Sequence, residues 1–185
     1  MMKFIKYFLP LVASILVIAC GDGGPYKSPN PYIVDPGNQT LRLDLWYEYG
    51  LQVPSCGNRI TIASGNTVTF VVMSGCNNIL TVEPGALVRS MDISGANNTV
   101  NLQPDVTAPF ITMSGANSIL NVSAGDKITE VNLLGSNAIM SISASSAQVG
   151  AINVVGSNSV VRMPNGYGTK TTIHNTGANN QIVEQ

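Results

Sequence analysis

The residues able to do chemistry in this chain are few and widely spaced. The acidic side chains of its second part are Glu83, Asp92, Asp105, Asp126, Glu130 and Glu184, and the single histidine is His174. Glu83 and Asp105 lie in turns about twenty residues apart, as do Asp105 and Asp126. Two carboxylates brought together this way would suit acid–base cleavage of a glycosidic bond, or a loose Ca2+ site, since hard cations take oxygen ligands. The plainer expectation is solvated turn residues and no bound metal. His174 has no nucleophile near it in sequence, and a general base needs a hydrogen-bonded reacting group, so it reads as a surface histidine. Ser74, Ser94 and Ser114 each precede a glycine but lack the Gly-x-Ser-x-Gly spacing of a nucleophile elbow. No catalytic residue and no cofactor is therefore expected.

Composition narrows the classes further. Of the 185 residues, only 10% are charged, the formal net charge is -1, and 44% are hydrophobic. The low charge and scattered Lys and Arg exclude a nucleic-acid footprint. The hydrophobic content excludes a disordered chain.

The element that must position these residues is a repeat. Gly75-Cys76-Asn77, Gly95-Ala96-Asn97, Gly115-Ala116-Asn117, Gly135-Ser136-Asn137, Gly156-Ser157-Asn158 and Gly177-Ala178-Asn179 recur at spacings of 20, 20, 20, 21 and 21. Ser55-Cys56-Gly57-Asn58 is a degenerate first copy. After each corner, apolar residues alternate with polar ones: Leu80-Thr81-Val82, Val100-Asn101-Leu102, Leu120-Asn121-Val122. Before it, the order is mirrored in Val71 and Met73, Met91 and Ile93, Ile111 and Met113. Period-2 alternation marks strands with one buried face, and β-branched residues with Gly and Asn exclude helical repeats. Twenty residues are too few for a propeller blade and suit one coil of a solenoid. The expected fold is all-β: a single-stranded parallel β-solenoid (β-helix) of about six and a half 20–21-residue coils, spanning 55–185.

Stacked coils place like residues over like at the inter-strand spacing of about 4.8 Å. Asn77, Asn97, Asn117, Asn137, Asn158 and Asn179 should then form a hydrogen-bonded amide ladder that satisfies a buried polar corner, with the preceding Gly supplying positive φ. Cys56 and Cys76 are one coil apart, which brings their Cα atoms within disulfide range. The outward column Thr61, Thr81, Asn101, Asn121 and Ser141 is the candidate binding face. Leu41 to Tyr49 alternates as a strand and is expected to cap the first coil. Trp46 and its neighbouring tyrosines offer an alternative role as a sugar-stacking platform. The last strand, ending at Gln185, has no obvious cap, so end-to-end self-association is a candidate mode of partnering.

The N-terminus carries an address. Lys3 and Lys6 precede an apolar run from Tyr7 to Ala19, which is shorter than the ~20 residues of a membrane-spanning helix and fits a signal peptide. The run ends in Val17-Ile18-Ala19-Cys20-Gly21, which resembles a bacterial lipobox. That resemblance implies cleavage after residue 19 and acylation of Cys20 with palmitate-type chains, holding the protein to a membrane. Gly21 rather than Asp after the cysteine implies the outer membrane of a bacterial envelope. Residues 20–54 then read as lipidated Cys, a Pro/Gly-rich tether and the N-terminal capping strand.

The units Ile93-Ser94-Gly95-Ala96-Asn97-Asn98-Thr99-Val100 and Met113-Ser114-Gly115-Ala116-Asn117-Ser118-Ile119-Leu120 resemble the Gly-x-Asn-Asn-x-Val repeats of an uncharacterised bacterial secreted and lipoprotein domain family, over roughly residues 55–182. The resemblance implies a β-solenoid and no established activity, so no functional residue carries over. The expected function is a membrane-anchored exported lipoprotein with a non-enzymatic structural, adhesion or binding role. Its partners would be the membrane through Cys20 and a polysaccharide or envelope protein. The alternative is a pectin-lyase-like enzyme acting on cell-surface polysaccharide.

Overall fold

The computed structural model describes residues 31–44 and 49–185. The expected signal peptide, Cys20, the first part of the tether, and Leu45, Trp46 and Tyr47 lie outside the described residues.

The chain winds as a parallel β-solenoid of about seven turns, each coil giving one strand to each of two sheets. Sheet A stacks β1 (Tyr32–Ile33), β3 (Tyr49–Gln52), β5 (Thr67–Met73), β8 (Ser90–Ile93), β10 (Phe110–Met113), β12 (Lys127–Leu133), β14 (Gln148–Val154) and β16 (Thr172–Asn175), with β7 (Leu87–Val88) beside β5. Sheet B stacks β2 (Thr40–Leu43), β4 (Arg59–Ile62), β6 (Ile79–Val82), β9 (Thr99–Leu102), β11 (Ile119–Val122), β13 (Ile139–Ile142), β15 (Val160–Met163) and β17 (Gln181–Glu184). Register follows the repeat: Ile111 pairs with Met91 and Val131, and Leu120 with Val100 and Met140.

The alternating apolar columns of both sheets face inward and form one continuous core, from Val34 and Leu43 to Val161 and Met163. A third inward column runs at the looser turn, through Asn66, Ala86, Val106, Asp126, Ala147 and Tyr167, all buried. Tyr167 follows this pattern as a plug: its buried hydroxyl donates to the Ala147 carbonyl at 2.9 Å and accepts from the Val149 N–H at 3.1 Å.

The solenoid begins earlier than the expected boundary at 55. Tyr32 pairs with Leu51, and Thr40–Leu43 pairs in register with Arg59–Ile62, so these segments are an added coil. The expected capping strand from Leu41 is accordingly part of a coil. Leu43 is buried within it, and Arg42 reaches over to form an ion pair with Glu83 two coils on.

Candidate functional site

Each coil has one tight corner and one looser turn, and the tight corner carries three separate jobs. Asn77, Asn97, Asn117, Asn137, Asn158 and Asn179 are themselves in the left-handed region, with φ of 55–57°. Asparagine tolerates that region because its short side chain bonds locally. Their amides stack on the outside: Asn97 donates to Asn77 at 3.1 Å, Asn117 to Asn97 at 3.1 Å, and Asn137 to Asn117 at 3.0 Å. The ladder exists, but it is exposed rather than buried.

The buried ladder lies one residue further, in Asn58, Asn78 and Asn98. The Asn58 N–H donates to Asn78 Oδ1 at 2.8 Å, and the Asn78 N–H to Asn98 Oδ1 at 2.9 Å. Asn98 also donates to the Gly75 carbonyl at 2.8 Å. Ser118 and Ser159 continue this column with hydroxyls aimed at the Gly95 and Gly135 carbonyls.

At the degenerate first corner Gly57 takes the left-handed turn itself, with φ of 80°, but the glycines two before the asparagines do not supply the positive φ. A Cβ on Gly95, Gly115, Gly135 or Gly156 would fall inside 3.0 Å of the carbonyl oxygen of the glycine one coil back. These positions are glycine because backbone passes directly over backbone.

Cys56 and Cys76 form a disulfide across the first two corners of the motif, with Cα atoms 4.5 Å apart. Register alone brings them together, as their spacing implied.

Of the turn carboxylates, Asp105 and Asp126 lie close enough for the charge of one to act on the other, while Glu83 and Glu184 are each held apart by their own partners. Glu83 is held by Arg42 in a two-pronged pair, one prong at 2.8 Å, and also accepts the Ser64 N–H. The hydrogen bond from Arg42 leads in keeping its carboxyl below the ordinary range. Glu184 is held low by the N–H groups of Gly168 and Gly166, both of which donate to it. Asp126 turns into the core, where it accepts the Val106 N–H at 2.9 Å and the Ser123 N–H at 2.6 Å. Burial pushes it up to about 6, against those two hydrogen bonds and with help from the Asp105 charge. Among the described residues no group of three His, Cys, Asp or Glu side chains gathers as a metal site. A cleft of about 570 Å3 opens beside the last loose turns, bordered by Ser145, Ser146, Gln148, Gly150 and Lys170, and no carboxylate lines it.

The expected face on sheet B is present. Thr61, Thr81, Asn101, Asn121 and Ser141 point outward in one half-buried column, and Asn121 donates to Asn101 at 2.7 Å. His174 is exposed on sheet A, in register with Asn153 and Asn132.

Sequence reasoning missed the apolar residues of a second face. On sheet A the outward positions include Phe70, Asp92, Phe110, Thr112, Asn132 and Asn153. Phe110 is 53% exposed, and Leu134 (46%) and Val155 (53%) follow at the exit of their strands. The remaining exposed large hydrophobics among the described residues, Tyr32, Ile33 and Ile182, sit in the terminal coils. Asn153 bridges its neighbours, donating to Asn132 at 2.8 Å and to Glu130 at 3.0 Å. The available signal was apolar residues at polar places in the alternation.

No protein-family model matches the chain, and no curated protein or solved structure matches it either.

Proposed function

We propose that the protein is an exported, lipid-anchored, non-enzymatic scaffold of a bacterial envelope. Acylation at Cys20 would hold it to the membrane, and the solenoid would present its flat sheet faces for adhesion, binding or a structural role. The observation that carries this reading is the engagement of the carboxylates: each of Glu83, Asp126 and Glu184 is already held by an arginine or by backbone N–H groups. The Cys56–Cys76 disulfide supports export, because such bonds persist in oxidising compartments. Gly21 after Cys20 favours the outer membrane. The likeness of the Gly-x-Asn-Asn-x-Val units to the uncharacterised bacterial lipoprotein family agrees with this reading and adds no activity to it.

The test is Cys20→Ser in the full chain, followed by membrane fractionation. The wild type is expected in the membrane pellet and the variant in the soluble fraction. Unchanged fractionation of the variant overturns the anchor.

A further inference from the structure

The outer face of sheet A differs from that of sheet B in where it exposes apolar surface. Phe110 stands between Ser90 and Glu130 in one outward column, in which Gly50 pairs with Phe70. Phe70 and Phe110 are two coils apart, about 9.6 Å along the stack. The coil between them contributes only Ser90 to that column, so a gap separates the two rings. A side chain at position 50 would collide with the Phe70 ring, so that ring lies flat over β3.

The next outward column supplies hydrogen-bonding groups beside the rings: Asp92, Thr112, Asn132 and Asn153. Asn132, Asn153 and Glu130 are already linked to one another, which fixes their orientation without ligand. The face thus alternates apolar platforms with rigid polar rims. A pyranose chain has the matching character, with C–H faces bordered by hydroxyl groups. Two coils match the disaccharide step of a flat, extended β-linked glycan, in which alternate sugars present the same face. The charges on these strands, Asp92, Glu130 and Lys127, are few and of both signs, which favours a neutral chain over a uronate-bearing one.

We propose that the outer face of sheet A binds a neutral, extended β-linked polysaccharide running along the solenoid axis, with Phe70 and Phe110 as stacking platforms and Asp92, Thr112 and Asn132 as hydrogen-bonding rim. This names the partner class for the display role above and rests on that reading.

The test is retention of the full chain, purified in detergent, on insoluble cellulose and chitin, with α-linked starch as the control. The wild type is expected on one or both β-linked solids and not on starch. Phe110→Ala should weaken retention roughly tenfold or more, equivalent to about 1.4 kcal/mol of lost stacking. Phe110→Trp should restore it, and Asn121→Ala on sheet B should leave it unchanged. Circular dichroism and an intact Cys56–Cys76 bond check that each variant is folded. Absence of retention by the folded wild type, equal retention on starch, or retention indifferent to Phe70→Ala and Phe110→Ala together overturns the proposal. Loss of glycan retention with Cys20-dependent fractionation intact rejects this face and leaves the anchor standing. The opposite outcome rejects the anchor alone.

Discussion

The two bends of each coil solve the same problem, reversing the chain, by different means. At the tight corner, successive coils lie in backbone contact. Gly115 sits under no side chain of its own because the Gly95 carbonyl occupies that space, and Asn117 takes φ of 56°. At the looser turn, Gly65, Gly85, Gly125 and Gly166 carry the positive φ themselves, and a Cβ on Gly85 would meet nothing within 4 Å. Its inward position accepts Asn66, Ala86, Val106, Asp126, Ala147 or Tyr167. The tight corner is constrained by contact between coils and hence repeats. The looser turn leaves open space around Gly65, Gly85 and Gly166 and hence varies.

The same substitution at the two bends gives the sharpest contrast. Gly115→Ala should cost roughly 3 kcal/mol or more, because an atom must enter space held by backbone. Urea unfolding would read this as a large drop in midpoint, and a shift no larger than that of Gly85→Ala would break the comparison. Second in size is the staple across the tight corners. Replacing Cys56 and Cys76 together by Ser should cost about 3 kcal/mol on the chain-entropy argument for a twenty-residue loop. Equal melting temperatures for this variant and the wild type would count against it.

Asp126 belongs to the variable turn and makes stability depend on pH. Its folded value of about 6 lies above the ordinary carboxylate value of 3.8, so the folded state holds the proton more tightly. Stability should therefore fall as pH rises from about 4 to 6, by about 3 kcal/mol, and stay lower above that. Asp126→Asn keeps an acceptor for the Val106 N–H and should remove this step. A pH profile of the variant parallel to the wild type would reject the assignment. The smallest effect is Gly85→Ala, where a left-handed conformation alone should cost about 1 kcal/mol.

Much of this was readable in the residues because stacking makes spatial register equal to repeat length. The Cys56–Cys76 bond, the inward columns and the face from Thr61 to Ser141 all follow from a period of 20 or 21. The coil from Tyr32 to Leu43 escaped because its corner reads Pro36-Gly37-Asn38-Gln39 and lacks the Ser-Gly-x-Asn signature. Asn38 nevertheless holds φ of 60° there, as the later asparagines do. The expected ladder forms, but burial falls to the next residue, and sequence does not separate the two because Asn77 and Asn78 are adjacent and alike. Only the left-handed turn at the first shows that the second points inward. Asp126 reads as a turn carboxylate by composition, whereas the turn geometry aims it at the core.

By itself the sequence determined the coil, its length, its apolar columns and its low charge. Like residues stack over like, and a charged column would repel itself at about 4.8 Å, whereas Asn, Ser and Thr columns hydrogen-bond. Tertiary structure alone decided which of two neighbouring asparagines is inside, why the corner residue must be glycine, and that Phe110 stands exposed on a flat sheet. Those outcomes depend on what the adjacent coil places against each atom, a quantity no single coil contains.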